Sequence, residues 1–305
     1  MNDKNIPASI RHKLLNLARA NKLDFQMLLT RFVLERFLFR LSKSKYKEKF
    51  ILKGAMLFQI WKGDIFRPTK DIDLLSFGEP DLEYFKKVVQ EICAQDFLND
   101  GVIFDSDSTQ VSRIKEEDEY QGLRVQLFAY LEKARVRVQI DIGFGDAVFP
   151  EPLDINYPTI LDLPAPILKA YSRETSVAEK FHAMINLGIV NSRMKDFYDI
   201  WVLAKSYDFD GVILSKTIKN TFQRRKTEIN EGTPLAFTEE FYNDTSKQTG
   251  WSAFIRKGKY DSESEDLLSE IILIIKKLLL PIYQSIGAGR DFNKKWDSSK
   301  LEWLD

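Results

Sequence analysis

Two neighbouring stretches, Phe50-Ile-Leu-Lys-Gly-Ala-Met-Leu57 and Arg67-Pro-Thr-Lys-Asp-Ile-Asp-Leu-Leu75, are the most informative part of this chain for its fold. The first predicts a short apolar strand, a turn at Lys53-Gly54-Ala55 and a helix that extends to residue 61. A glycine between a strand and a helix lets the backbone approach a ligand closely, and the start of a helix attracts anions. This stretch therefore predicts a phosphate-binding turn at Lys53, Gly54 and Ala55, although a plain tight turn explains it equally well.

The second stretch has the alternation of a β-strand over residues 66–75. Because strand side chains repeat every two residues, its odd-numbered members point to one face. That face carries four polar side chains: Arg67, Thr69, Asp71 and Asp73. Two carboxylates on one exposed face repel each other, and oxygen ligands of this kind suit Mg²⁺. Because solvated strand faces often contain Asp-x-Asp, the motif alone is weak evidence for a metal.

A third carboxylate lies on another predicted strand, Ala134-Arg-Val-Arg-Val-Gln-Ile-Asp-Ile-Gly143. Its valines and isoleucines alternate with polar residues, and Asp141 falls on the polar face. If this strand lies beside the one that carries Asp71 and Asp73, three carboxylates converge. Two-metal phosphoryl-transfer sites commonly need such a set.

The remaining pattern predicts an α+β protein in two domains. Two N-terminal helices precede alternating strands and helices, and half of the ten prolines lie between residues 149 and 166. We therefore predict a mixed-sheet domain at 1–160 and a mostly helical domain at 161–305. The predicted elements are helices at 10–20, 27–41 and 81–93, a short strand at 111–114, and a strand pair at 123–130 and 135–142.

Composition restricts the possible partners. The 305 residues include 45 Lys and Arg and 45 Asp and Glu, so the formal net charge is zero and no global field attracts nucleic acid or membrane. Any polynucleotide would have to bind local patches. A single cysteine, Cys93, excludes an internal disulfide framework and suits a reducing cytoplasm. The longest apolar run, 271–282, is shorter than the roughly 20 residues that span a bilayer, so we expect a cytoplasmic protein without a membrane segment.

Two predicted helices in the second half carry a further polar group. Ser176-Val-Ala-Glu179 is a capping-box pattern, which predicts a helix that begins at Ser176. Lys180 lies beside the apolar face of that helix, where it needs an anionic partner unless it extends its ammonium to solvent. On the next helix, at 193–207, Asp196 and Asp199 flank the apolar side and can be presented together. Lys195 and Asp199 stand four residues apart and would alternatively form a surface ion pair.

Five blocks in this order resemble the AbiEii/AbiGii toxin family of nucleotidyltransferases. They are the two opening stretches, Ile140-Asp-Ile-Gly-Phe-Gly-Asp146, Ala178-Glu-Lys-Phe-His-Ala183 and Arg193-Met-Lys-Asp-Phe-Tyr-Asp-Ile200. The likeness extends from the helix around Glu35 to about Phe254. One position departs from the family: Ala55 follows Gly54 where a second glycine or a serine is usual. Alanine retains the backbone amide but removes any hydroxyl contact that a serine would make to phosphate.

The resemblance implies a polymerase-β-like nucleotidyltransferase domain whose nucleotide cleft is completed by the helical domain. The reaction would move a nucleoside monophosphate from a nucleoside triphosphate (NTP) to an acceptor hydroxyl, with release of pyrophosphate. Asp71, Asp73 and Asp141 would bind one or two Mg²⁺, and the catalytic set would also include Lys180 and Asp199. The residues implied to bind the nucleotide are Lys53, Gly54, Ala55, Arg67, Thr69, Lys195 and Asp196.

The resemblance also implies a biological role. Members of this family resemble toxins of toxin–antitoxin or abortive-infection systems, generally encoded beside a winged-helix antitoxin. The expected acceptor is RNA, with tRNA first, so that translation and growth are inhibited. Two alternatives stay open on the residues alone: a module that binds nucleotide or RNA without catalysis, and a nucleotidyltransferase that modifies protein.

Overall fold

The computed structural model of the chain describes residues 5–63, 69–115, 121–258 and 267–305. The chain forms two compact units. The first contains Met1–Asp146 and Leu153–Ala170, and the second contains Ala147–Pro152 and Tyr171–Asp305. The chain therefore passes from one unit to the other after Asp146, after Pro152 and after Ala170. The domain boundary expected at residue 160 stays a prediction.

The first unit is built on one seven-stranded sheet with the order β3-β4-β5-β2-β1-β7-β6. β2 pairs in parallel with β5, and β1 pairs in parallel with β7, whereas the other neighbours are antiparallel. The central strand β2 thus lies between β5 and β1, and this sheet confirms the mixed-sheet domain that the α+β prediction expected. The strands are β1 (Phe50–Lys53), β2 (Asp71–Ser76), β3 (Val102–Lys115), β4 (Gln121–Leu131), β5 (Ala134–Phe144), β6 (Leu153–Asn156) and β7 (Ile167–Ala170).

Four helices accompany this sheet: α1 (Ile6–Ala20), α2 (Phe25–Lys43), α3 (Leu57–Lys62) and α4 (Leu82–Cys93). The sequence predicts three of them within a few residues because each has an apolar face, and in the structure two of these helices begin with an aspartate cap. Asp24 accepts a hydrogen bond from the Met27 amide at the start of α2, and Asp81 accepts one from the Tyr84 amide at the start of α4. α2 packs against β5 and α4, and its central side chains are buried.

Three sequence-based boundaries in this unit are wrong. β2 begins at Asp71 and not at residue 66: its outermost pair with β1 joins Asp73 to Lys53, and its outermost pair with β5 joins Asp71 to Gln139. Arg67 lies outside the described residues. The helix expected at 55–61 is a 3₁₀ turn, Gly54–Met56, followed by the six residues of α3. β3 has 14 residues instead of four, because a bulge between Asp105 and Gln110 and a polar run conceal its alternation.

The second unit contains six helices among its described residues and a small antiparallel sheet of three strands, which the sequence analysis did not predict. The helices are α5 (Arg173–Leu187), α6 (Met194–Ser206), α7 (Gly211–Arg224), α8 (Glu239–Tyr242), α9 (Thr245–Gly258) and α10 (Leu268–Gly287). The strands are β8 (Phe209–Asp210), β9 (Lys295–Asp297) and β10 (Glu302–Leu304).

The start of α5 corrects the capping-box prediction. Ser172, and not Ser176, caps the helix, because its hydroxyl accepts a hydrogen bond from the Thr175 amide. The helix therefore begins one turn earlier than expected, and Ser176 lies inside it. None of the helices in the described ranges is long and apolar enough to cross a membrane.

Helix α10 contains an internal proline that a distant side chain compensates. Pro281 has no amide hydrogen, so the carbonyl of Lys277 lacks its usual partner four residues later. The indole of Trp303 on β10 donates to the carbonyl oxygens of Lys277 and Leu278, at 3.2 and 3.0 Å. The C-terminal strand thus supplies the hydrogen bond that the proline removes.

Candidate active site

The centre of the sheet aligns the predicted site residues in one row. Lys53 of β1 is the cross-strand partner of Asp73 of β2, and Asp73 is the partner of Asp141 of β5. Cross-strand partners point to the same face, and Asp71 joins them because it lies two residues before Asp73. The strand that carries Asp141 is therefore the parallel neighbour of β2, as the three-carboxylate prediction required.

Gly54 is the point at which the first motif contacts the second. Its backbone is left-handed, with φ +73°, and a side chain built on it would overlap the carboxylate of Asp73. Any other residue would be strained in this conformation and would displace that carboxylate. Gly54 thus makes room for Asp73. Ala55 follows in the 3₁₀ turn and is half-buried.

Lys53 connects the two strands that flank β2. Its ammonium lies 2.6 Å from the carboxylate Oδ2 of Asp146, whose side chain is only 2% exposed. The amine also packs against Gly143, where a Cβ would lie 2.8 Å from it. Lys53 therefore reaches from β1 to the end of β5, and a nucleotide phosphate would share its charge with Asp146.

Thr69 orients the first carboxylate of the Asp-x-Asp motif. Its hydroxyl donates to Asp71 Oδ1 at 2.5 Å, and its side chain is buried. The hydroxyl also lies 3.3 Å from the Asp71 carbonyl oxygen, a local contact that competes with strand pairing at this position. Thr69 is therefore placed to hold Asp71. Its predicted contact with nucleotide stays a prediction.

Asp141 is held by an arginine that the sequence analysis missed. Arg124 of β4 is its cross-strand partner and binds it with two hydrogen bonds, Nε to Oδ1 at 2.8 Å and Nη2 to Oδ2 at 2.7 Å. Gln139 donates to Oδ2 at 3.2 Å. The hydrogen bond with Asp141 raises the pKa of Arg124, and the charges of Asp71 and Asp73 add to that effect although burial opposes it.

A signal for Arg124 was present in the sequence. The strand pair at 123–130 and 135–142 was predicted with a tight connection. With Leu131 opposite Ala134, the register counted outward from that turn places Arg124 opposite Asp141. Hydrophobic alternation identified the two strands but was not used to pair their residues.

Two of the three carboxylates lie on the same strand, and the third is bound by Arg124. Asp71 and Asp73 are half-buried on one face of β2, as oxygen ligands for a divalent ion would be. Within the described ranges, no three His, Cys, Asp or Glu side chains are grouped so that they could hold a metal. A metal ion at Asp141 would compete with Arg124 for the carboxylate, and the role of Asp141 as a ligand stays a prediction.

The predicted polar residues of the second unit form one buried cluster. Lys180 of α5 lies 2.8 Å from both Asp196 Oδ1 and Asp199 Oδ2 of α6. These two aspartate side chains are 1% and 0% exposed, and Arg193 Nε lies 2.7 Å from Asp196 Oδ2. Burial by itself would raise the pKa of Asp196, but the charges of Lys180 and Arg193 and the Lys180 hydrogen bond hold it below its ordinary value.

This cluster answers one question that the sequence left open. The ammonium of Lys180 does not extend to solvent but lies between two carboxylates, as a lysine beside an apolar helix face requires. Lys195 is exposed on α6, and the partner of Asp199 is Lys180. The assignment of Lys180, Lys195, Asp196 and Asp199 to nucleotide binding or catalysis stays a prediction.

A mixed sheet whose central strand presents Asp-x-Asp against a glycine turn is the arrangement expected of a nucleotidyltransferase. The chain belongs to the family described as nucleotidyl transferase AbiEii toxin of type IV toxin–antitoxin systems, whose sequence model matches residues 36–271. This match confirms the family resemblance of the five sequence blocks.

Two solved structures from Helicobacter pylori are also similar. One, described provisionally as a nucleotidyltransferase, is 16% identical, with 88% of this chain and 97% of that chain covered and a TM-score of 0.47. The other, JHP933, is 15% identical, with 88% and 94% covered and a TM-score of 0.48. No curated protein matches this chain.

Proposed function

We propose that this chain transfers a nucleoside monophosphate from an NTP to an acceptor hydroxyl of RNA, with tRNA as the first candidate, in a Mg²⁺-dependent reaction. The single observation that carries the proposal is the contact between Gly54 and the Asp73 carboxylate, with Asp71 beside it on the same strand face. A turn suited to phosphate and a pair of carboxylates suited to a cation are thereby brought together. Membership of a nucleotidyltransferase family supports the same reaction.

In this proposal Asp71 and Asp73 hold the divalent ion. When bound, Mg²⁺ would neutralise charge on the triphosphate and lower the pKa of the acceptor hydroxyl. The residues around the two aspartates keep their carboxylates in position: Thr69 donates to Asp71, and Gly54 leaves space for Asp73. Fixed groups of this kind stabilise developing charge without reorganisation during the reaction.

The polar cluster of the second unit is proposed to supply further positive charge to the triphosphate. Lys180 is 13% exposed, and both of its observed carboxylate partners are buried. The positive charges of Lys180 and Arg193 balance the negative charges of Asp196 and Asp199. A phosphate that approached Lys180 would therefore compete with these two carboxylates for the ammonium. Lys195 lies on the exposed side of the same helix.

The proposed setting follows from the family. A toxin of a type IV toxin–antitoxin system implies an antitoxin, and we propose a winged-helix protein encoded alongside. Modification of tRNA in the cytoplasm would inhibit translation and growth. The formal net charge of zero means that the RNA would be bound by local positive groups and not by the overall field of the molecule.

The test is a labelling reaction. The protein is incubated with Mg²⁺, total tRNA and each of the four labelled NTPs, and we expect label on RNA from at least one of them. Asp73→Asn should reduce labelling by about 100-fold or more, since the Mg²⁺ proposed to stabilise transition-state charge loses one of its two carboxylate ligands. Asp81→Asn is the matched control, because asparagine caps α4 as well as aspartate does and activity should be retained.

Other results would support the alternatives. Equal labelling by Asp73→Asn would contradict the assignment of the site. Label on polypeptide in a mixed extract, with none on RNA, would favour the protein-modifying enzyme. Binding of NTP or RNA without any transfer would favour the module that lacks catalysis.

A further inference from the structure

Arg124 is a charged residue at the site that none of the five family-like blocks contains. It lies on β4, two strands from β2, and shares the sheet face of Asp73 and Asp141 through the row of cross-strand partners. Neighbouring strands are about 4.8 Å apart, so an arginine side chain that extends along this face can reach a group held over β2. Its position therefore makes it part of the same site.

The contact between Arg124 and Asp141 occupies both oxygens of the carboxylate. The guanidinium donates from Nε and Nη2 to separate oxygens, and Gln139 adds a third donor. A two-metal site needs a carboxylate at this position that is available to bridge or bind the second ion. A bidentate pair with arginine is among the strongest charge-assisted contacts in proteins, and with Gln139 it uses three of the roughly four acceptor sites of the carboxylate, so a metal ion would have to compete with Arg124 for Asp141.

Arg124 is also available to a ligand on its other side. Its side chain is 39% exposed, and Nη1 makes no hydrogen bond to the described part of the chain. A guanidinium presents a planar set of donors that matches phosphate, and its charge is permanent. One edge of the guanidinium is thus fixed by Asp141, and the other edge, which carries Nη1, can bind a ligand.

We propose that Arg124 replaces a second metal ion in this protein. One divalent cation binds Asp71 and Asp73, Asp141 serves to position Arg124, and the guanidinium binds a phosphate group of the triphosphate. The inference rests on the proposed function for the identity of the substrate. It departs from the two-metal arrangement because Asp141 positions a cationic side chain and does not bind an ion.

The decisive measurement is the number of Mn²⁺ ions bound per chain, counted by electron paramagnetic resonance. The unmodified protein is titrated with Mn²⁺ in the presence of each of the four α,β-methylene nucleoside triphosphates, which cannot be turned over. We expect one bound Mn²⁺ per chain and loss of that ion in Asp73→Asn. A second protein-dependent ion, or no bound ion at all, in the unmodified protein would overturn the inference, and this count does not depend on the folding of a variant.

The role of Asp141 is tested with Asp141→Asn, which can still accept hydrogen bonds from Arg124. The Mn²⁺ dissociation constant should change by less than about threefold, because the carboxylate is not a ligand. A loss of about tenfold or more in a variant with an unchanged melting temperature would show that Asp141 binds the metal. That result would contradict the proposal.

The role of Arg124 is tested by the affinity of the same analogues. Arg124→Ala should weaken analogue binding by about tenfold or more, and Arg124→Lys should recover part of the loss, because lysine keeps the charge without the bidentate geometry. Arg137→Ala is the matched control, since it removes the same charge from the same face of β5, four residues from Asp141. If Arg124→Ala and Arg137→Ala weaken analogue binding equally, Arg124 contributes only through its general positive charge. That result would overturn its assignment as the residue that binds phosphate.

These readouts separate the two proposals. Metal count and analogue affinity do not require transfer to RNA. Suppose that no acceptor is labelled, but one Mn²⁺ binds per chain and Arg124→Ala weakens analogue binding as expected. The proposed function then fails and the inference about Arg124 stands. If RNA is labelled but two Mn²⁺ bind, the inference fails and the function stands.

Discussion

Gly54 shows how one backbone position serves two requirements at once. Its φ of +73° is unfavourable for any residue with a side chain, and its Cα lies against the Asp73 carboxylate. A substitution there would combine backbone strain with displacement of a site residue. Gly63, at the end of α3, has nearly the same conformation, φ +75°, but no atom of the described residues lies within 4 Å of where a side chain would begin.

This pair permits a controlled prediction. Gly54→Ala and Gly63→Ala should each lower the free energy of unfolding by about 1–2 kcal/mol, the cost of a left-handed non-glycine residue. Only Gly54→Ala should also move Asp73, so nucleotide transfer should fall by about 100-fold or more in that variant alone. Thermal unfolding and the tRNA-labelling rate measure the two effects. Similar activity losses in both variants would contradict a specific role for the contact with Asp73.

Ala55 illustrates what the same turn tolerates. It follows Gly54 in the 3₁₀ turn, where the family usually has glycine or serine, and its own conformation is not left-handed. The backbone amide is retained, so the departure removes at most a hydroxyl contact. Gly54 and Asp73 have a direct steric dependence on each other that Ala55 does not share.

Helix α10 and strand β10 are linked by the indole N–H of Trp303, which donates to two carbonyl oxygens of the helix. Pro281 leaves the Lys277 carbonyl without its helical partner, and Trp303 donates to it from the C-terminal strand. The same indole packs edge-on against Phe292 and Trp296. The effect of the N–H group can therefore be separated from that of the ring.

We predict a coupling between these two positions. Trp303→Phe should cost about 0.5–1.5 kcal/mol beyond the change in ring size, because the Lys277 carbonyl loses its donor. In a Pro281→Ala background the helix supplies its own amide, so the same Trp303→Phe change should cost less. A double-mutant cycle followed by chemical denaturation measures the difference. Strict additivity of the two changes would show that Trp303 acts only through packing.

The two units of the chain place their charged groups in different surroundings. In the first unit Asp71 and Asp73 are half-buried on a strand face, whereas in the second Asp196 and Asp199 are buried around Lys180. Removal of one member of a buried charged cluster leaves its partners uncompensated and is strongly destabilising. Loss of activity on substitution of Lys180 would therefore report stability as well as chemistry.

We predict that Lys180→Met lowers the free energy of unfolding of the second unit by about 3–5 kcal/mol. Hydrogen exchange should show reduced protection in peptides from the second unit, with the sheet of the first unit unchanged. Lys195→Met is the matched control on the exposed side of α6 and should cost less than about 0.5 kcal/mol. A small effect of Lys180→Met would contradict the importance of the cluster for stability.

The cluster also predicts the direction of a pH effect. The pKa of Asp196 is lowered in the folded protein, so its contribution to stability is present above the ordinary carboxyl pKa of about 3.9 and is lost as the pH falls through the lower folded value. Acid unfolding of the second unit should accordingly require a lower pH in the unmodified protein than in Lys180→Met. The same exchange experiment, repeated between pH 3 and 7, measures this shift.

Much of the first unit could be predicted from the sequence because its signals are local. The alternation of apolar and polar residues identifies β4 and β5, aspartate caps locate the starts of α2 and α4, and Gly54 marks the turn after β1. Each of these depends on residues within one turn or one strand of each other. The boundaries that were wrong lie at β2, α3 and β3 in this unit and at α5 in the second unit, where a turn, a bulge or an earlier cap overrides the local pattern.

Only the folded structure shows which residues that are distant in sequence contact each other. Arg124 meets Asp141 from a different strand, Lys53 pairs with Asp146 across β2, and Trp303 reaches Lys277 from the C-terminal strand. Local periodicity states which face a side chain occupies but not which distant group will share that face. Residue types and their order were sufficient for the family and for the candidate carboxylates, whereas the partner of each charge depends on strand register and helix packing, which bring together groups far apart in sequence.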